Sequence, residues 1–286
     1  MNLNFWLIQM FNGISYGALL FLVGSGLSLI FGVMRIVNLS HGSYFLLGGY
    51  VALSVIWTTG SWYLAIPVAA FAIALVGLAM ERIFLRPLGF DPLRQVLLTV
   101  GFAFLFQQAA LDIWSGNNFD INPPAALSQS IQVGGLFLPL YRVFMIASAA
   151  AIGLVLWLVM EKTRMGAAVR ATVDDAQMAR GVGIDTSRIS MMIFSLGAFL
   201  AALGGVIGGA FLGIYPGLDF EMLPLAFAVV IIGGMGSLGG AAIGALAVGL
   251  ADNFGKALFP EVSYFTLYAP MALILAIKPT GLFGRE

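Results

Sequence analysis

The chain is 286 residues long, 60% hydrophobic and 9% charged, with thirteen basic and thirteen acidic side chains and a mean hydropathy of +1.01. A soluble domain carries about 25% charged residues, so this chain cannot cover a water-facing surface and reads as an integral membrane protein. Zero formal charge points to no nucleic-acid partner, and the lack of cysteine excludes disulfides and thiolate chemistry.

Apolar runs of about 20 residues recur, the length that crosses about 30 Å of hydrocarbon. Strict alternation is absent, which argues against a β-barrel. No Lys or Arg occurs in the first 34 residues, so no charged segment precedes the first apolar run and no cleaved signal peptide is expected. Helices are expected near 6–33, 42–58, 62–81, 95–115, 141–160, 190–213, 222–235, 238–258 and 263–278. The fold class is therefore all-α and polytopic, with eight or nine transmembrane helices, one of them short or broken.

The first of these runs is long enough for its start, with Phe5 and Trp6, to lie in an interfacial aromatic belt. The seventh is short, has Pro224 near its start and ends at Gly233-Gly234-Met235-Gly236. It reads as a half-helix or as a true crossing. Basic residues help to choose. Arg35; Arg82, Arg86 and Arg94; Lys162, Arg164, Arg170, Arg180 and Arg188; and Lys278 and Arg285 fall in alternate links, leaving only Arg142 and Lys256 for the other face. The positive-inside rule then places the N-terminus outside and the C-terminus in the cytoplasm, which favours a crossing at segment seven.

Two links are long. Residues 116–140 contain no Lys or Arg and are expected outside; residues 161–189 form the main cytoplasmic loop. That loop carries a helical pattern from about Ala167 to Arg180, ended by Gly181 and Gly183. An amphipathic helix there suits a partner protein, or lies on water or lipid headgroups. Glycines spaced by four, Gly205, Gly209 and Gly213, then Gly236, Gly240 and Gly244, are each expected on one helix face, for close packing or for flexing during transport.

Polar residues inside the spans are functional suspects by default. Asp252, four residues before Lys256, forms either a structural ion pair or a gate. Gln107 and Gln108, with Asp112, either join helices or line a polar path. Asn12, Ser15 and Tyr16 either bond between helices or meet a zwitterionic ligand. Asp219 and Glu221 are expected in a solvated outer loop, where they would be free to meet a binding protein. The only histidine, His41, stands in Asn38-Leu39-Ser40-His41-Gly42. No catalytic partner is available to it. Asn38 or Ser40 is expected to cap the second helix. Gly42 admits a neighbour. His41 either hydrogen-bonds across the break or lines the inner end of a path near the cytoplasmic mouth.

"VRATVDDAQMARGVGID" (169–185) resembles the coupling loop of ATP-binding-cassette importer permeases, in a degenerate form of the Glu-Ala-Ala…Gly pattern. With "NGISYGAL" (12–19), "GLSLIFGVMRIVNLSHG" (26–42), "ERIFLRPL" (81–88), "TRMGAAVRA" (163–171), "GGMGSLGGAAIGA" (233–245) and "KPTGLFGR" (278–285), the whole chain resembles the branched-chain amino acid permeases, the shorter H-type subunit. Gly239 departs from the proline that many relatives place there, and the strict Glu-Ala-Ala triplet is missing.

The resemblance implies one permease domain over 1–286, in a bacterial inner membrane. It implies a second related permease, two cytoplasmic ATPase subunits, and a periplasmic binding protein that delivers branched-chain amino acids or another small solute, such as urea or a short amide. Arg170, Asp174, Asp175, Ala176, Arg180 and Gly183 would couple to the ATPase. This chain would bind no cofactor, and the partners would use the ATP; consistently, it holds no G-x-x-x-x-G-K-[ST] loop. A passive channel or an ion-coupled transporter fits the composition but not the coupling-loop pattern.

Overall fold

The computed structural model describes residues 2–89, 91–278 and 280–284. Its α-helices are α1 (Leu3–Met34), α2 (His41–Thr59), α3 (Trp62–Met80), α4 (Pro92–Trp114), α5 (Leu140–Lys162), α6 (Arg164–Asp174), α7 (Ala176–Gly181), α8 (Thr186–Leu212), α9 (Leu218–Gly233), α10 (Leu238–Leu258) and α11 (Ser263–Ile277). Nine of them match the nine expected segments, and α6 and α7 replace the single helix expected over 167–180. Six helices among the described residues are long and apolar enough to cross a membrane. Polar caps set several starts: Ser61 accepts from Leu64 N–H, Asp91 from Arg94, Asp185 from Arg188 and Ser237 from Gly240, at 3.0–3.3 Å.

Helices α1, α2, α8, α9 and α10 form the core, and α3, α4, α5 and α11 pack around them. In lipid no hydrophobic drive joins apolar helices, so close packing must hold them together. Small residues allow it. A side chain at Gly17 would strike the Ala245 carbonyl, one at Gly249 would strike Gly17 and Gly13, and one at Gly26 would strike Gly197. Gly205 packs on the Phe45 carbonyl of α2, Gly209 on Ile214 and Ile121, and Gly240 and Gly244 on Gly233 and Val229 of α9. Two of the expected face glycines differ. Gly213 ends α8 with φ +77°, and Gly236 lies in the α9–α10 turn with φ +81°, against Gly32 of α1. Glycine spacing alone cannot tell a packing face from a left-handed turn. The outer helices expose Phe71, Leu75, Leu97, Phe104, Leu154 and Trp157, a surface that suits lipid.

The basic links converge on one end. Arg86, after α3, donates to the Ser187 carbonyl at the start of α8 (3.0 Å). A cavity of about 900 Å³ at this end is walled by Arg35, Trp157, Glu161, Arg170, Met235 and Phe283. Arg285 lies outside the described residues. At the far end, Arg142 and Lys256 stand beside the first half of α1. That end also carries a hairpin that the sequence reading missed, Ser130–Val133 paired with Leu136–Pro139 around Gly134-Gly135, whose φ values are +58° and +82°. A Gly-Gly pair between two short apolar runs is a hairpin signal.

Candidate functional site

Residues 35–40 leave α1 in non-helical conformation and run back into the bundle before α2 begins. His41 Nε2 lies 2.9 Å from the Val23 carbonyl of α1 and donates to it. Val23 is 11 residues, about 17 Å, from the end of α1 at Met34. The break is therefore deep in the bundle and not at the mouth where the sequence placed it. Asn38, Ser40 and His41 are fully buried. Neither Asn38 nor Ser40 caps α2 by its side chain. Ser40 instead gives its hydroxyl to Asn38 Oδ1 (2.7 Å), which also accepts from Ser40 N–H (3.2 Å). This local loop bond competes with capping, a common choice for Asn and Ser. Thr99 of α4 accepts from Leu39 N–H at 3.2 Å. Tyr44 gives its hydroxyl to Met80 Sδ (2.8 Å).

Gly42 meets the start of α9. A side chain there would collide with the Asp219 carbonyl oxygen. Ser43 Oγ donates to Asp219 Oδ2 at 3.2 Å. Asp219, expected in a solvated loop, is 2% exposed. Gly42 lies 17 residues, about 26 Å, from the far end of α2 at Thr59, so α9 starts inside the bundle. Its 16 residues span about 24 Å and end at Gly233, where the chain tail bonds to it through Leu282 and Phe283 N–H. The seventh segment is thus a short helix preceded by the non-helical link 213–217. Glu221, two residues on from Asp219, is exposed and accepts from the Tyr215 hydroxyl (2.8 Å).

The other suspect polar residues fall in two groups, one joining α1 to α5 and α10 and one on α4. Arg142 Nη1 donates to Asn12 Oδ1 (2.8 Å) and Ser15 Oγ (3.3 Å), so these two α1 residues bind a cation of their own chain. Lys256 and Asp252 form the expected ion pair at 2.8 Å, with Lys256 5.7 Å from the Tyr16 ring centroid. Gln107 is half-buried on α4, and Gln108 donates to Asp112 of its own helix (2.9 Å). No hydrogen bond among the described residues joins these groups to the break.

The loop at the basic end is built from its own polar residues. Thr163 caps α6, accepting from Gly166 N–H at 3.1 Å. Arg170 donates to the Met160 carbonyl and pairs with Glu161 at 3.7 Å, which ties α6 to the end of α5. Asp175 breaks the expected continuous helix. Its backbone is extended (φ −151°), and its carboxylate accepts from Gln177 and Met178 N–H at 2.8 and 2.9 Å to start α7. Ala176 opens α7; Arg180 Nε donates to Thr186 Oγ1 of α8 (2.7 Å); Gly183 turns the chain with φ +89°. Asp174 is exposed. The sequence reading missed Met178 and Val182, 66% and 71% exposed at the loop tip. Their signal was two large apolar residues flanking Ala179-Arg180-Gly181, just after the acidic pair Asp174-Asp175.

The "ERIFLRPL" stretch braces this loop. α3 loosens into a π-turn, Glu81–Leu85, and a 3₁₀ turn, Arg86–Leu88. Arg86 holds buried Glu81 at 3.3 Å and bonds to α8 at Ser187.

These elements define a polytopic α-helical membrane permease with a helical loop at its basic end and an interior helix break. The profile of the family described as "Branched-chain amino acid transport system / permease component" matches residues 9–275, and the chain belongs to this family. It is 30% identical to the high-affinity branched-chain amino acid transport system permease protein LivH of Escherichia coli (strain K12), over 98% of this chain and 96% of that protein. It is 28% identical to the corresponding permease BraD of Pseudomonas aeruginosa, over 98% and 96%. The autoinducer 2 import system permease protein LsrC of Escherichia coli is 28% identical over 81% of this chain and 67% of its own length. The chain is a multi-pass membrane transport subunit, not an enzyme.

Proposed function

We propose that the chain is one permease of an ATP-binding-cassette importer in a bacterial inner membrane, with its N-terminus outside and its basic end in the cytoplasm. Its solute is a branched-chain amino acid or a similarly small organic molecule, handed over by a periplasmic binding protein. A second, related permease completes the path. Two cytoplasmic ATPase subunits supply the hydrolysis, and this chain binds no nucleotide. The whole of 1–286 acts as one permease domain, with 116–140 facing outwards and 161–189 inwards.

The observation that carries this reading is the α6–α7 loop. It is folded against α5 and α8 by Arg170, Arg180 and the Asp175 cap, yet it presents Met178 and Val182 to solvent. A pre-ordered loop with an apolar tip suits docking, because little ordering entropy is lost on binding. A passive channel or an ion-coupled carrier has no use for such a knob. Inside the spans, few charges and many Phe, Leu and Gly suit weak contacts that let a solute leave. Selectivity among apolar side chains then rests mainly with the binding protein. The experiment is reconstitution of the chain with a partner permease, ATPase subunits and a binding protein. Uptake of labelled leucine that requires ATP and the binding protein supports the reading. Uptake by this chain without an ATPase partner contradicts it.

A further inference from the structure

We propose that the meeting point of α2 and α9 is an occluded binding station for a zwitterionic solute, in which Asp219 Oδ1 receives the ammonium group and first-turn N–H groups of α2 receive the carboxylate. This rests on the import reading above and names the recognition inside the path.

Asp219 is buried, and Ser43 occupies only one of its oxygens. Its carboxylate also lies beside the first-turn N–H groups of its own helix, but Oδ1 has no hydrogen-bond partner. None of the ion pairs among the described residues involves it. Three further polar atoms nearby in the fold are buried and unpartnered: Asn38 Nδ2, His41 Nδ1 and Tyr50 OH. Tyr50 lies two turns beyond Ser43 on the same face of α2. Buried polar groups are normally satisfied, so the open Asp219 Oδ1 at the junction of α2 and α9 marks a place where something else binds.

The electrostatics select the ligand. Two helix N-termini meet here, since Gly42 of α2 touches Asp219 of α9. Each carries the equivalent of about +0.5 charge, so together they balance one carboxylate. The N–H groups of Gly42 and Ser43 belong to the first turn of α2, which has no carbonyl of its own to offer them. The station is therefore neutral overall, with its negative and positive parts separated. A lone cation or a lone anion would upset that balance. A zwitterion preserves it and satisfies both parts. The buried Tyr44 ring, 6.0 Å from that of Phe106, stands close by for an apolar side chain.

The station is shut in this conformation. Its door is the first turn of α9, which closes on Gly42 and hangs on the link between Gly213 and Gly217, whose φ values are +77° and +97°. A two-way backbone bridge between Ile214 and Phe119 (2.8 and 2.9 Å) pins the middle of this link, which leaves Gly217, next to α9, as the hinge.

The test is retention of labelled leucine by the assembled transporter, with its binding protein, after vanadate trapping. Wild type should retain leucine, with isoleucine displacing it and neither isoamylamine (ammonium only) nor 4-methylpentanoate (carboxylate only) doing so at equal concentration. Asp219→Asn should lower leucine retention at least about tenfold and raise that of 4-methylpentanoate. Ser43→Ala, which keeps the charge, should preserve the preference for the zwitterion. Equal leucine retention by wild type and Asp219→Asn overturns this proposal alone, as does equal displacement by either analogue in wild type, a result that needs no variant to fold. Retention of urea in place of leucine by wild type overturns the amino-acid reading and this proposal with it.

Discussion

Two interruptions in this chain use the same residue types to opposite ends. At the α6–α7 break, Asp175, Thr163 and Gly183 lie in the exposed loop, and the two polar side chains are used up as caps. At the α2–α9 break, Asn38, Ser40, Ser43 and Asp219 are buried, and polar atoms are left over. In water an unused carboxylate oxygen costs nothing. Inside a bundle it is expensive and persists only where function keeps it. The first break makes a rigid handle. The second makes an interior with unmet bonding capacity.

The strongest way to disturb that contrast is Gly42→Val. Its side chain would meet backbone at Asp219, which cannot swing aside as a flexible side chain would. We expect a loss of about 3 kcal/mol or more, read as a sharply lower unfolding midpoint in detergent and little folded protein. His41→Ala removes the bond to Val23 and leaves a void in a fully buried position. Its expected cost is about 2–4 kcal/mol by the same measurement. Normal uptake by a well-assembled His41→Ala transporter would remove the histidine from the path. Asp175→Ala, in the exposed break, loses one cap worth about 1 kcal/mol. Amide exchange at Gln177 and Met178 should quicken about fivefold while the spans stay unchanged. Smallest of all, Arg188→Ala deletes an ion pair to Asp185 whose side chains are 75% and 50% exposed. Screening by water limits that loss to about 0.5 kcal/mol, within the error of most melting curves.

Much of this architecture is legible in the residues. Runs of apolar text gave the nine helices because a bilayer demands length, and the spacing of Arg and Lys marked the end where the basic links gather. Asn38-Leu39-Ser40-His41-Gly42 announced a helix break because such a polar run cannot sit in hydrocarbon unpaired. Its depth was hidden, since nothing local says that residues 35–40 turn back inwards. The partner across the break was hidden too. Asp219 stands 176 positions from Ser43, and beside Pro216-Gly217 it reads as surface loop. Asp175 also caps α7, a backbone role that its charge alone does not announce. Gly236 and Gly213 were read as packing faces, when positive φ needs them.

The central claim is a division of labour, with energy coupling in the exposed break and solute handling in the buried one. It is tested by measuring leucine uptake and ATP hydrolysis together in proteoliposomes, for Asp219→Asn and for the pair Met178→Asp with Val182→Asp. The loop variant should lose ATPase association and both activities, whereas Asp219→Asn should keep binding-protein-stimulated hydrolysis within about twofold and lose uptake by at least about tenfold. Full uptake in the loop variant, or unchanged uptake in Asp219→Asn, would contradict it.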